Sequence, residues 1–149
     1  MRVLDPVSLI LRKKGCEMWS VPSDATVYSA MQMMADKNVG ALLVIDQGRL
    51  VGLISERDYA RKIVLLGRGS KETRVCEIMT PSPMTIDPEC SVDEAMRLIT
   101  TNRIRHLPVV GDGDILGIIS IGDLVNWIAF AQDQTIEQLE HYIEGKYPC

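Results

Sequence analysis

The sequence predicts an α+β protein built from two β-α-β-β-α units related by a pseudo-twofold axis and packed sheet to sheet, with an extra helix at each end. Three observations lead there. The chain matches itself at an offset of 65 residues. Each copy passes from strand to helix and back to strand in the same order. One copy of about 45 residues is marginal alone, so two packed sheet to sheet would share one core.

The repeat is the governing signal, because a fixed period decides architecture before any local reading does. Residues 20–63 fall on residues 85–128 without a gap, and 11 of those 44 positions are identical. They include Val27/Val92, Ala30/Ala95, Leu42/Leu107, Gly48/Gly113, Gly52/Gly117, Ser55/Ser120 and Asp58/Asp123. Many others exchange one apolar residue for another, as in Val21/Ile86 and Met34/Ile99.

The elements follow in order. A helix is expected over 6–14, with Asp5 as its cap, Pro6 in its first turn and Gly15 at its end. Each copy then opens with a short apolar strand, at 18–21 and 84–86. Thr26 and Ser91 are candidate N-caps for a helix whose apolar residues recur at helical spacing: Val27, Ala30, Met31 and Met34, then Val92, Ala95, Met96 and Ile99. Strands at 41–45 and 107–110 lead through glycine turns, at Gly48 and Gly113, into strands at 50–54 and 115–119. A helix closes each copy, at 56–66 and 121–131, and a separate amphipathic helix is expected over 134–144. The organisation is therefore an N-terminal helix (1–16), a first unit (17–67), a linker (68–83), a second unit (84–131) and a C-terminal helix (132–149).

Composition narrows the class of function. The net charge is −4, which argues against nucleic acid as the main partner. The stretch 57–74 is nevertheless basic, with six Lys or Arg against Asp58 and Glu72; it reads as a solvated face or a local anion site. The four cysteines, Cys16, Cys76, Cys90 and Cys149, lack C-x-x-C spacing, and there are only two histidines, which argues against zinc and for a reducing compartment. No run is apolar and long enough to span a bilayer, and the first residues lack a secretory core. The expectation is a soluble cytoplasmic protein, or one of an organelle matrix after loss of a transit peptide, with no nucleic-acid or membrane partner.

One motif occurs in both copies: Gly, two apolar residues, Ser, two variable residues and Asp. It reads Gly52-Leu53-Ile54-Ser55-Glu56-Arg57-Asp58, then Gly117-Ile118-Ile119-Ser120-Ile121-Gly122-Asp123. It places a strand end against a helix start. Two readings stand side by side. Ser-x-x-Asp is a capping box satisfying the helix's own orphan amides. Alternatively the helix start offers free N–H groups and partial positive charge to an anion, while Asp accepts hydrogen bonds from the two hydroxyls of a ribose. Ahead of the second copy's strand stand Ile104-Arg105-His106-Leu107-Pro108, with Arg103 nearby, a cluster suited to phosphate. The first copy has Val39-Gly40-Ala41 there, so the two clefts should differ in their preference for phosphate; Arg57 is a candidate to make up for the missing cations.

The doubled motif, the run Arg105-His106-Leu107-Pro108-Val109-Val110 and the linker Ile78-Met79-Thr80-Pro81 resemble the tandem CBS (cystathionine-β-synthase) domain pair, or Bateman module, across residues 17–130. Arg74-Val75-Cys76-Glu77-Ile78-Met79-Thr80 is also similar to the small stand-alone members. The resemblance implies an adenine nucleotide (AMP, ADP, ATP or NAD(H)) or S-adenosylmethionine held between the copies. Asp58 and Asp123 would hold ribose beside Ser55 and Ser120. Arg105, His106 and Thr80 would contact phosphate. Trp19, Ser20, Val39, Met84, Thr85 and Ile104 would enclose adenine. It further implies a homodimer through the helices after the motif, using Tyr59, Ile63, Leu66, Leu124, Trp127 and Ile128, and an unidentified regulated protein as the listener.

Four functions compete. A nucleotide-sensing regulatory module is the first; a ligand-free structural dimerisation module, whose motifs are only caps, is the alternative. No nucleophile, base and orienting group come together and no metal ligands cluster, so an enzyme is not expected. Nucleic-acid binding through 57–74 would be steeply salt-dependent and conflicts with the net charge.

Overall fold

The computed structural model describes residues 3–15 and 18–143, with side chains described to residue 133. Helix α1 (Val7–Lys14) comes first and ends at Gly15, whose φ of 89° suits glycine. In the first copy, β1 (Ser20–Val21) runs parallel to β2 (Ala41–Asp46), which pairs antiparallel with β3 (Arg49–Ser55). Helix α2 (Val27–Lys37) joins β1 to β2. Its cap is Thr26, which accepts from the Ser29 amide at 3.1 Å, and it stops at Asn38 in the left-handed region. After β3 come the short helix α3 (Glu56–Tyr59) and a π-helical turn (Ala60–Val64). Helix α4 (Val75–Ile78) and strand β4 (Thr80–Pro81) follow, and β4 completes a sheet of order β1-β2-β3-β4.

The second copy repeats this plan. Ile86 makes a parallel bridge to Val109, as Val21 does to Val44. Helix α5 (Val92–Asn102) is capped by Ser91, which accepts from the Glu94 amide at 3.1 Å. Strands β5 (His106–Gly111) and β6 (Asp114–Ser120) form the second hairpin, and α6 (Ile121–Ile143) is the last element of the described residues. The hairpins even share an irregularity, a register shift after Val44 and after Val109. Both turn through two residues of positive φ, Gln47-Gly48 and Asp112-Gly113, the backbone that follows the twist of an antiparallel pair.

Each copy has its own helix-side core. Val27, Ala30, Met34, Leu42, Val44 and Ile54 are buried in one cluster; Val92, Ala95, Ile99, Leu107, Val109 and Ile119 are buried in the other. Strand side chains alternate between faces, so Leu43 points away from the first cluster, and it is nonetheless fully buried. That burial is the mark of a seam between the two sheets.

The end segments cross over. Val3, Val7 and Ile10 belong to the second copy's cluster, although they precede the first copy. Val75 and Ile78 fill the matching place in the first copy's cluster. The backbone repeats the exchange: the amides of Val7 and Ser8 reach the Cys90 and Pro88 carbonyls, and those of Val75 and Cys76 reach the Ala25 and Ser23 carbonyls.

Four local expectations change. Asp5 does not cap α1; its carboxylate accepts from the Trp127 indole at 3.0 Å instead. The strand expected at 84–86 shrinks to a single bridge at Ile86. The helix expected over 56–66 breaks after one turn into the π-helical turn. No break separates the closing helix from the C-terminal one, since α6 is continuous from Ile121 to Ile143; no helix-ending glycine or proline stands between them. The side chains of the expected 134–144 face lie outside the described residues.

Candidate functional site

Each motif sits where a strand runs directly into a helix. The first helical amide is taken by the chain itself: Glu56 N–H donates to the Gly40 carbonyl at 3.0 Å, and Ile121 N–H to the Arg105 carbonyl at 2.8 Å. Ser55 N–H donates to Asp58 Oδ2 at 3.0 Å, and Asp58 N–H returns to Ser55 Oγ at 3.2 Å. The second copy has the same pair, Ser120 N–H to Asp123 Oδ2 at 2.9 Å and Asp123 N–H to Ser120 Oγ at 3.1 Å. Both motifs are therefore capping boxes. Among the described residues, only the amides of Arg57 and Gly122 are left without a partner in the first turns.

Capping does not bury the carboxylates. Asp58 and Asp123 keep 14% and 20% of their side-chain surface exposed, and each lines a cavity between the copies. The cavities differ in size, about 400 Å³ at Asp123 and about 890 Å³ at Asp58. Both fall within the usual range for small-molecule sites, roughly 300–1,000 Å³.

Each cleft draws on both copies. The small cleft takes Ser120 and Asp123 from the second copy and Trp19, Val39 and Gly40 from the first. The large cleft takes Ser55, Arg57, Asp58 and Thr80 from the first side and Met84, Ile104 and Arg105 from the second. Ser20 and Thr85 are not among the lining residues; they are exposed, one position beyond Trp19 and Met84. The mixed origin corrects the sequence-based view of Arg57. It does not supply a cleft that lacks Arg105; the two arginines line the same one.

His106 belongs to both clefts. It stands against Gly40, where an added Cβ would lie 3.8 Å from His106 Nε2, so the pair forms the partition between them. Burial pushes the His106 imidazole below its ordinary pKa; Lys14 and Arg105 push the same way, and Asp123 opposes them.

Lys14 and Lys37 were not legible as site residues, and Arg61 and Lys62 only as part of the basic stretch 57–74. Lys14, at the end of α1, donates to Asp123 Oδ2 at 2.8 Å and to the Ile118 carbonyl at 3.0 Å. Lys37 stands 4.3 Å over the Trp19 ring. Lys62 lies 3.2 Å from Asp58 Oδ1 and donates to the Ile78 carbonyl at 2.7 Å. Arg61 joins Arg57 in the large cleft, and their spacing of four residues was the available signal.

The expected dimer helices divide differently from the expectation. Ile63 and Leu124 are buried in the cores, which removes them from any outer face. The exposed apolar residues there are Val64, Leu65, Leu66, Ile121, Val125 and Phe130. Among the described residues, no helix is long and apolar enough to cross a membrane, and no group of three or more His, Cys, Asp or Glu side chains is placed to hold a metal ion.

Comparison with known proteins gives consistent results. The CBS domain family model matches twice, at residues 13–65 and 75–130. The mitochondrial CBS domain-containing protein CBSX3 of Arabidopsis thaliana is 42% identical, over 95% of this chain and 73% of its own. A solved CBS-domain structure from Burkholderia ambifaria is 47% identical, with a TM-score of 0.80, and covers 83% of this chain and 93% of its own. The hexameric CBS-CP12 protein of bloom-forming cyanobacteria is 30% identical, with a TM-score of 0.74, and covers 83% of this chain and 67% of its own. The doubled motif, the paired cores and these matches agree: the chain belongs to the CBS-domain family of regulatory modules, as a tandem pair.

Proposed function

We propose that this protein is a non-catalytic sensor that binds an adenosine nucleotide (AMP, ADP, ATP or NAD(H)) between its two copies and signals to a partner protein. The observation that carries the reading is the make-up of the clefts. Each pairs an acid at a helix start from one copy with the residues ahead of the strand from the other. A ligand bridging the two favours one relative arrangement of the copies, and a partner reads that arrangement. Asp58 and Asp123 would accept from ribose hydroxyls while Ser55 and Ser120 keep the helix starts closed. Arg57, Arg105, His106 and Thr80 would face phosphate. Trp19, Val39, Gly40, Met84 and Ile104 would lie against the base, with Ser20 and Thr85 at the rim.

The homodimer belongs to the same proposal, with Val64, Leu65, Leu66 and Val125 as its apolar contact. The compartment is the cytoplasm or, given the name of the Arabidopsis relative, an organelle matrix.

One observation favours the ligand-free structural module: both capping boxes are complete without a guest. Thermal unfolding with adenosine, AMP, ATP and NAD separates the two. A ligand that binds only the folded state raises its stability, by about 2.7 kcal/mol at a hundredfold excess over Kd. Stabilisation by an adenosine compound, reduced in Asp58→Asn or Asp123→Asn, supports the sensor. Unchanged melting with every compound supports the structural module.

A further inference from the structure

The two clefts are unequal in charge as well as in size. The large cleft is lined by Arg57, Arg61, Lys62, Arg103 and Arg105, against the carboxylates of Glu56 and Asp58. Only Lys62 has a partner. Among the described residues, none of the four guanidinium groups makes a hydrogen bond or an ion pair. The small cleft holds two cations, and both are engaged: Lys14 on Asp123, and Lys37 over the Trp19 ring.

Four like charges around one cavity repel one another, and the carboxylates of Glu56 and Asp58 leave a net excess of positive charge there. Arg103 adds to the anomaly. It holds a left-handed backbone, φ 53°, at the place where the first copy uses Asn38, φ 55°. Asparagine tolerates that conformation far better than arginine does. A planar guanidinium matches two phosphate oxygens at once, so a row of free guanidinium groups suits a chain of linked phosphates.

We infer that the large cleft selects a nucleoside triphosphate over the monophosphate, while the small cleft takes a ligand of lower charge. This rests on the adenosine-nucleotide reading and assigns it by cleft. Arg57 and Arg61, one helical turn apart, face Arg103 and Arg105 from the other copy, so a triphosphate would tie the copies together at this side. The small cleft, with Lys14 already neutralised by Asp123, offers no comparable excess of charge.

The test is calorimetric titration of the full chain, without magnesium, with adenosine, AMP, ATP and inorganic tripolyphosphate. ATP should bind at least about tenfold more tightly than AMP. The Arg57→Ala/Arg105→Ala variant should lose about tenfold in ATP affinity per arginine removed, with a much smaller change for AMP. Arg61→Ala/Arg103→Ala, also at exposed positions, gives a second pair should the first fail to fold. Equal binding of AMP and ATP, or equal loss of both in the arginine variants, would overturn the assignment and leave the nucleotide reading intact. Tripolyphosphate binding that depends on these arginines, with no adenosine compound bound, would overturn the adenosine reading and keep the polyphosphate site. No binding of any of the four overturns both.

Discussion

The first and second copies are closed by segments that belong, in chain order, to each other. Helix α1 precedes the first copy and packs in the core of the second; helix α4 precedes the second copy and packs in the core of the first. The hydrogen bonds that seat them are the same in kind, from two successive helix amides to carbonyls of the loop before the cap. The chemistry around them differs. Over the first copy's glycine, Gly52, lies β4, a strand with its backbone against the sheet. Nearest to Gly117 is the side chain of Leu11. The comparison teaches that neither copy is complete alone. The same mixing builds the clefts, where an acid from one copy faces strand-leading residues from the other.

The largest effect should come from breaking the crossover. Ile10 is buried in the second copy's core, so Ile10→Ala should cost about 2–5 kcal/mol. Amide exchange should rise mainly across 86–124, although residue 10 adjoins the first copy in sequence. A rise confined to 20–63 would contradict the crossover.

Next come the two glycines. A Cβ at Gly52 would collide with Met79 Sδ and lie 3.1 Å from the Thr80 carbonyl oxygen, which belongs to a paired strand. A Cβ at Gly117 would meet Leu11 Cδ2 at 2.9 Å, the end of a flexible side chain. Gly52→Ala should therefore destabilise by about 1–3 kcal/mol. Gly117→Ala should cost clearly less, as compared by chemical denaturation.

The caps should behave alike where the glycines do not. Ser55→Ala and Ser120→Ala each remove an acceptor from a helix start, at about 1 kcal/mol apiece. A large inequality between them would mean that one motif is held by something other than its capping box.

His106 gives the smallest effect and the sharpest sign. Its pKa is lowered in the folded protein, so the unfolded chain takes up the proton first as pH falls. Stability should therefore decline as pH drops below about 6.5, the ordinary histidine value. A phosphate beside the ring favours the protonated form, so nucleotide affinity should rise over the same interval. His106→Asn should flatten both curves.

Much of this was legible in the residues. The gap-free repeat fixed the order of strands and helices, because apolar spacing and glycine turns recur at the same offset. It also located Ser55, Asp58, Ser120 and Asp123 at helix starts. The crossover was not legible at that offset. Val7 and Ile10 match Val75 and Ile78 only after a shift of three further residues, and nothing local says which core an end helix will enter. The pairing of Arg57 with Arg105 in one cleft has the same cause, since pseudo-symmetry brings opposite halves of the repeats together. The π-helical turn at Ala60–Val64 left no pattern in the sequence either: its residues read as ordinary helix.

The central claim is that one ligand touches both copies at once. Hydrogen exchange of the full chain with and without ATP tests it directly. Protection should appear together at 55–62 and at 102–106, the two walls of the large cleft. Protection on one wall alone, or none at either with ATP demonstrably bound, would contradict the account.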